Sequence, residues 1–190
     1  MNAIELIDKY YASEPELREL LLAHSQQVAS RALSIAKQQT SAKLDLVFIE
    51  EAALLHDIGI IYCNAPGIHC HGTHQYIEHG YLGAQLLKKE GFPRHAEVAR
   101  RHTGTGITMK QIIQRHLPIP PGDYLPRTME EQIICYADKF YSKTHIGEET
   151  PLPIVRKKLE KFGKRAIHQF DKWQKRFEPD LSVELMVEAD

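Results

Sequence analysis

An all-α helical bundle forming one domain is the fold this sequence predicts, and three observations predict it. Apolar residues recur at steps of three and four along most of the chain. No run of alternating β-branched residues bounded by turns occurs, so no strand is expected. The helical stretches are also bracketed by residues that start and stop helices, such as Pro15, Asp45, Gly59, Gly91, Pro93 and Thr128. At 190 residues the chain has the length of one domain with ample room for a buried core.

In chain order, a short helix is expected over 2–11. A second runs from about 15 to 39, with Pro15 suited to a first turn. Its Leu17, Leu21, His24, Val28, Ala32 and Ile35 form one stripe, so His24 should face the interior. A third helix spans 45–58, with Asp45 as N-cap and a stop near Gly59, and carries Ile49, Ala52, Ala53 and His56 inward. Residues 60–74 are irregular, broken by Pro66, Gly67 and Gly72. Helices follow over 75–89, from Pro93 to about His102, and over 108–115, the last two separated by a Thr103-Gly-Thr-Gly turn. The prolines of 117–126 rule out regular helix there. Thr128, with Glu131 three residues on, reads as a capping box opening a helix that carries Ile133, Ile134, Ala137 and Asp138. One long last helix is expected over 151–177, with Val155, Leu159, Phe162, Ala166, Phe170, Trp173 and Phe177 on its apolar stripe. That stripe leaves room for a homodimer.

Composition excludes several function classes. A hydrophobic share of 43% and a charged share of 26% are ordinary for a globular protein. A net charge of −1 gives no global field for nucleic acid. The last helix does hold nine Lys/Arg from Arg156 to Arg176 against Glu160 and Asp171. Its aromatics lie on the apolar stripe rather than among the basic residues, so base stacking gains no support. No segment is long and apolar enough to span a membrane, and the N-terminus lacks a secretory pattern. Three cysteines, Cys63, Cys70 and Cys135, make no disulfide framework, and a cytoplasmic setting is expected.

The unusual count is eleven histidines. His56-Asp57 closes an apolar run, Ala-Ala-Leu-Leu-His-Asp-Ile-Gly, where polar groups need partners. A single histidine on an apolar helix face is mostly a satisfied core residue. Here His24 lies upstream, and His79, His102 and Asp138 lie downstream. The six together read as a site for one or two divalent ions, with donors that suit Fe, Mn, Zn, Co or Ni better than Ca. Cys63, His69, Cys70, His71 and His74 form a separate cluster without a zinc-like spacing, read as an ordinary loop or as a wall of the pocket.

The sequence around these positions resembles the HD superfamily of metal-dependent phosphohydrolases. The family pattern His…His-Asp…Asp matches His24, His56-Asp57 and Asp138. Leu-Leu-His-Asp-Ile-Gly is its HDIG form, and Tyr-Ala-Asp138-Lys-Phe is similar to its last ligand segment. Glu78-His79-Gly-Tyr-Leu-Gly-Ala and Arg101-His102-Thr-Gly resemble the branch with two extra histidines and two metals, which includes di-iron hydrolases of dinucleoside tetraphosphates. The stretch Leu117-Pro-Ile-Pro-Pro-Gly-Asp-Tyr-Leu-Pro is similar to an uncharacterised HDIG subfamily with archaeal members.

The resemblance implies a single HD domain over 1–190, its core at about 20–145 and the C-terminal helix packed on it. It implies iron first among the metals. His24, His56, Asp57 and Asp138 would hold one ion, and Asp57, His79 and His102 a second. A metal-activated water would then attack a nucleotide or another small phosphate ester or anhydride. Many relatives carry Lys or Arg shortly after the His-Asp pair, where this chain has Ile60 and Ile61. Arg101, Lys139 or Lys143 is therefore expected to supply positive charge, with Asp57, Arg101 and Lys139 as the catalytic set. The same resemblance leaves two other readings: a di-iron oxygenase, and a metal-binding regulatory domain without turnover.

Overall fold

The computed structural model describes residues 2–181. The fold is all-α, with two small hairpins. α1 (Ala3–Tyr11) starts at Asn2, whose side chain and that of Glu5 cap each other's backbone. α2 (Pro15–Gln38) buries the expected stripe, His24 included. α3 (Leu46–Leu55) is capped by Asp45, which accepts from the Phe48 N–H at 3.0 Å.

α3 ends at Leu55, three residues before the expected stop. His56 keeps helical angles, and Ile58–Tyr62 tightens into a 3-10 turn. The cause is the approach of another element. A Cβ on Gly59 would lie 2.1 Å from the His79 carbonyl oxygen and 2.4 Å from the Gly83 nitrogen. Glycine lets the turn run directly against α4 (His79–Lys89), which makes His79 a neighbour of Asp57.

Strands were not expected, yet β1 (Asn64–Ala65) pairs antiparallel with β2 (Cys70–His71). These two-residue strands are too short for any alternation to show in sequence. The first turn of the 75–89 helix is a separate 3-10 turn, Tyr76–Glu78. α5 (Pro93–Arg101) and α6 (Met109–Gln114) follow, and Thr108 with Gln111 forms the capping box of α6. α7 (Met129–Asp138) is capped by Thr128, which accepts from the Glu131 N–H. The reciprocal half of the expected box is not made there. The Glu131 carboxylate accepts from the Arg127 N–H at 2.8 Å and pairs with Arg101 instead.

A second hairpin, β3 (Tyr141–Ser142) with β4 (His145–Glu149), carries Lys143 in its turn. The long last helix is two: α8 (Leu152–Leu159), a 3-10 turn over Glu160–Phe162, and α9 (Lys164–Phe177). Gly163, at φ 88°, breaks it. The apolar spacing survives the break because both pieces pack on one core. Val155, Leu159, Ala166, Phe170, Trp173 and Phe177 are all buried within the chain, so this stripe is not a free dimer surface.

Two apolar clusters make up most of the core. One gathers the second half of α2, most of α3, α7, α8 and α9, with Tyr136, Phe140, Phe170 and Phe177 in mutual ring contact. The other gathers α1, the start of α2, the Ile58–Tyr62 turn, α4 and α5. α2 passes from one to the other between Leu21 and Val28, and α3 does so between Ala53 and Leu55. His24 and His56-Asp57 stand at that junction.

Candidate metal centre

Three of the four histidines of the site are fixed by a backbone carbonyl three residues back. At the end of α3 the His56 Nδ1 lies 2.6 Å from the Ala53 carbonyl oxygen. His79 Nδ1 lies 2.5 Å from that of Tyr76, and His102 Nδ1 2.8 Å from that of Ala99. In each case an Nδ1–H donated three residues back sets the tautomer and leaves the Nε2 lone pair pointing inward.

Those Nε2 atoms converge on one carboxylate. Asp57 Oδ2 lies 3.2 Å from His24 Nε2 and 2.9 Å from His56 Nε2. Asp57 Oδ1 lies 3.4 Å from His79 Nε2 and 3.3 Å from His102 Nε2. Asp138 Oδ1 joins the first side, 3.2 Å from His24 Nε2 and 3.4 Å from His56 Nε2. Two donor groups therefore share Asp57: His24, His56, Asp57 and Asp138, and Asp57, His79 and His102, with the ligand atoms of each group within 4.8 Å of one another.

The residues present fit a divalent cation on either side. His24, His56, Asp57, His79 and His102 are all buried. His24 Nε2, His56 Nε2 and both Asp57 oxygens make no well-aligned hydrogen bond. Buried polar atoms left so are costly, and a cation between them removes the cost. The electrostatics agree. Burial pushes the Asp57 carboxyl up, but the charges of His56 and Lys143 outweigh it and hold the group well below the usual carboxylate range. Burial lowers His56 as well, and Asp57 and Asp138 reverse this to about 9, so His56 must give up a proton to ligate a cation. Burial takes His79 down to about 3 and lowers His102, so both rings are neutral, the form that ligates.

Of the expected cationic partners, Lys139 lies at the site. Its Nζ is 2.6 Å from Asp138 Oδ2 and donates to the His102 carbonyl at 3.0 Å. Arg101 does not face the site. Its guanidinium is buried between α5 and α7, paired with Glu97 and held at 2.9 and 3.0 Å by the two Glu131 oxygens. The turn at residue 101 carries His102 inward and sends Arg101 to the other side. Arg101→Ala should then act on stability: it leaves Glu131 buried and unpaired, at a cost of about 3 kcal/mol. A melting curve shifted down with normal metal content is the expected result. Lost turnover at unchanged stability would restore Arg101 to the site.

Lys143 is the cation nearest the centre, an ion pair of Asp57 Oδ2 delivered by the β3–β4 hairpin. Ile60 is fully buried and Ile61 packs on the second cluster, which accounts for the absence of a lysine there.

A cavity of about 630 Å³ opens onto the centre. Asp57, His79, His102 and Asp138 line it together with Lys139 and Lys143. Ala65, Pro66, Gly67 and Ile68 form one wall, so the 63–74 loop is a pocket wall. Its Cys63 and Cys70 are buried, while His69 and His74 pair with Glu16 and Glu78; none of these joins a metal-like group among the described residues. Thr103 and Gly104 reach the cavity as well. α8 and the turn after it also line the cavity with Val155, Lys158, Leu159, Lys161 and Phe162, on the basic segment that the sequence reads first as a solvated face and next as a rim for anionic substrates. Nothing in the sequence separates Lys158 and Lys161 from the other basic residues around them.

The HD-domain family model matches residues 21–142, which contain all six converging residues. The chain belongs to the HD-domain family. An uncharacterised protein of Methanocaldococcus jannaschii is 37% identical over 130 residues, 68% of each chain. Two proteins named tRNA (cytidine(56)-2'-O)-methyltransferase also match this HD domain. The one from Thermoplasma volcanium is 34% identical over 74% of this chain and 36% of its own length. The one from Picrophilus torridus is 28% identical over 86% of this chain and 42% of its own. The chain thus spans well under half of either methyltransferase. The HD domain of the L. monocytogenes phosphodiesterase PgpH has the same fold, with a TM-score of 0.52 at 17% identity over 97% of this chain and 99% of that one. No helix among the described residues is long and apolar enough to cross a membrane.

Proposed function

We propose that this HD domain is a metal-dependent phosphohydrolase acting on a nucleotide or another small phosphate ester or anhydride. The observation that carries the reading is the shared carboxylate: Asp57 turns one oxygen to His24 and His56 and the other to His79 and His102. His24, His56, Asp57 and Asp138 would hold one ion, and Asp57, His79 and His102 the second. Iron is the first candidate, then Mn, Zn, Co or Ni. When bound, such ions supply Lewis acidity and a water of lowered pKa, the chemistry that phosphoryl transfer to water needs.

The chain's own residues do the rest. The Nδ1–H bonds of His56, His79 and His102 hold the imidazoles in ligating orientation. Lys139, held by Asp138 and the His102 carbonyl, places a fixed positive charge at the mouth of the centre for the phosphoryl oxygens. Lys143, in a hairpin turn, is placed to leave Asp57 and meet a second phosphoryl oxygen. A phosphodiesterase with this fold supports the reading. The tRNA chemistry in the names of two relatives is not carried over, because the chain matches less than half of each.

The test is elemental analysis of protein purified anaerobically with iron and manganese supplied, followed by phosphate release from a panel of nucleotides and dinucleoside polyphosphates. About two ions per chain and phosphate release are expected. Substrate-dependent O₂ consumption with no phosphate released would make the protein an oxygenase instead. His79→Ala should lower the content by about one ion, because it touches only the second group. Unchanged content would remove His79 and that ion from the scheme.

A further inference from the structure

The cavity is larger than a single reacting phosphate requires. Its volume of about 630 Å³ lies in the range, about 300–1,000 Å³, of sites that enclose a whole small molecule. Part of the lining that the metal centre does not use, Val155, Lys158, Leu159, Lys161 and Phe162, lies beyond the family-matched residues.

Two lysines there line the cavity without a counter-charge among the described residues. Lys139 and Lys143 pair with Asp138 and Asp57. Further along, Arg156 pairs with Asp171, and Arg165 donates to the Thr105 and Gly106 carbonyls. Lys158 and Lys161 also line the cavity, but neither has a carboxylate partner among the described residues. Lys158 Nζ reaches only the Thr150 hydroxyl, at 3.4 Å, and Lys161 Nζ lies 5.2 Å from the centre of the Phe162 ring.

The segment that carries them is tied to the metal centre. Arg115 donates to the Lys161 carbonyl at 2.9 Å and Gln111 to the Phe162 carbonyl at 3.0 Å. The Phe162 ring lies flat against Gly104, two residues after His102. A Cβ on Gly104 would stand 3.0 Å from that ring, and its φ of 61° already favours glycine. The turn is thus held at a set place relative to His102 before any ligand arrives.

We propose that Lys158, Lys161 and the ring of Phe162 form a second anion subsite. It selects phosphate compounds that carry a further anionic group besides the one that reacts, with the uncharged part lying against Phe162 and Leu159. This rests on the phosphohydrolase reading for the reacting end and adds the class of substrate. The two ammonium groups stand at the open side of the cavity, where ionic hydrogen bonds to phosphate add to the contact with the Phe162 ring.

The test compares binding of AMP, ATP and adenosine 3',5'-bisphosphate to the metal-loaded full chain by isothermal titration, with hydrolysis of p-nitrophenyl phosphate assayed separately. At least one of the two polyanionic probes should bind about tenfold tighter than AMP. The double variant Lys158→Ala/Lys161→Ala should erase that advantage and leave AMP unchanged, while Lys158→Arg/Lys161→Arg keeps it. Both side chains are exposed, so these variants are expected to fold. No advantage in the wild type, or one that survives the double alanine variant, overturns the subsite. Hydrolysis of p-nitrophenyl phosphate without the advantage overturns the subsite alone. A lysine-dependent advantage with no turnover of any probe keeps the subsite and sinks the hydrolase reading.

Discussion

Replacing Asp57 by alanine is expected to abolish metal binding and hydrolysis together. Asp57 is the member common to both donor groups, so its loss leaves His24, His56 and Asp138 on one side and two neutral histidines on the other. Neither remnant matches the ligand count or charge of the complete group. Metal content should fall below about a tenth of the wild-type value, and turnover by about three orders of magnitude or more, equivalent to about 4 kcal/mol of transition-state stabilisation. The fold should survive, because the core packs around the site rather than through it. Elemental analysis, phosphate release and circular dichroism on one preparation separate these outcomes. A folded Asp57→Ala protein that keeps its metal and its turnover would place the reacting centre elsewhere in the chain.

The second large effect concerns a residue with no chemistry of its own. Gly59→Ala puts a methyl group 2.1 Å from the His79 carbonyl oxygen and 2.4 and 2.8 Å from the Gly83 nitrogen and Cα. All three are backbone atoms, so no side-chain rotation relieves the clash. Either the Ile58–Tyr62 turn or the start of α4 must move, and both lie against the second apolar cluster. The expected cost is about 4 kcal/mol or more, at the severe end for a single methyl group. For a chain of this length that lowers the melting temperature by about 8–16 °C. Surviving protein should also bind the second ion poorly, since the same shift separates His79 from Asp57. Gly67→Ala is the control: its Cβ meets nothing within 4 Å, and its melting temperature should stay near that of the wild type. A Gly59→Ala protein as stable as Gly67→Ala would mean that the turn does not rest on α4 in this way.

The contrast between Gly59 and Arg101 marks where reading the sequence stops. The glycine of His-Asp-Ile-Gly is visible as a helix stop, and it does follow the end of α3. Its larger role depends on α4, twenty residues further on, and appears only when the two backbones meet. Arg101 sits next to a metal-site histidine and reads as a phosphate partner. Adjacent residues on a helix point about 100° apart, however, and α7 offers Glu131 on the side that Arg101 faces. Lys143 is one of three candidate cations in the sequence, and the β3–β4 hairpin is what carries it onto Asp57.

What the sequence by itself determined is what is local. The helices, their caps at Asp45 and Thr128, and the buried stripes follow from spacing and side-chain type. So does the inward direction of His24 and His56, because a residue on an apolar stripe shares that stripe's fate. The resemblance to the HD family divided His24, His56, Asp57, Asp138, His79 and His102 into two ligand sets that share Asp57. The tertiary structure decided which charges reach that site. Lys139 and Lys143 come to it, Arg101 is taken up by Glu97 and Glu131, and Lys158 and Lys161 line the cavity from α8 and the turn after it. The physical reason is that apolar periodicity fixes which way a side chain must face to leave water. A charged side chain is held instead by whichever partner the packing of distant elements brings within a few ångströms.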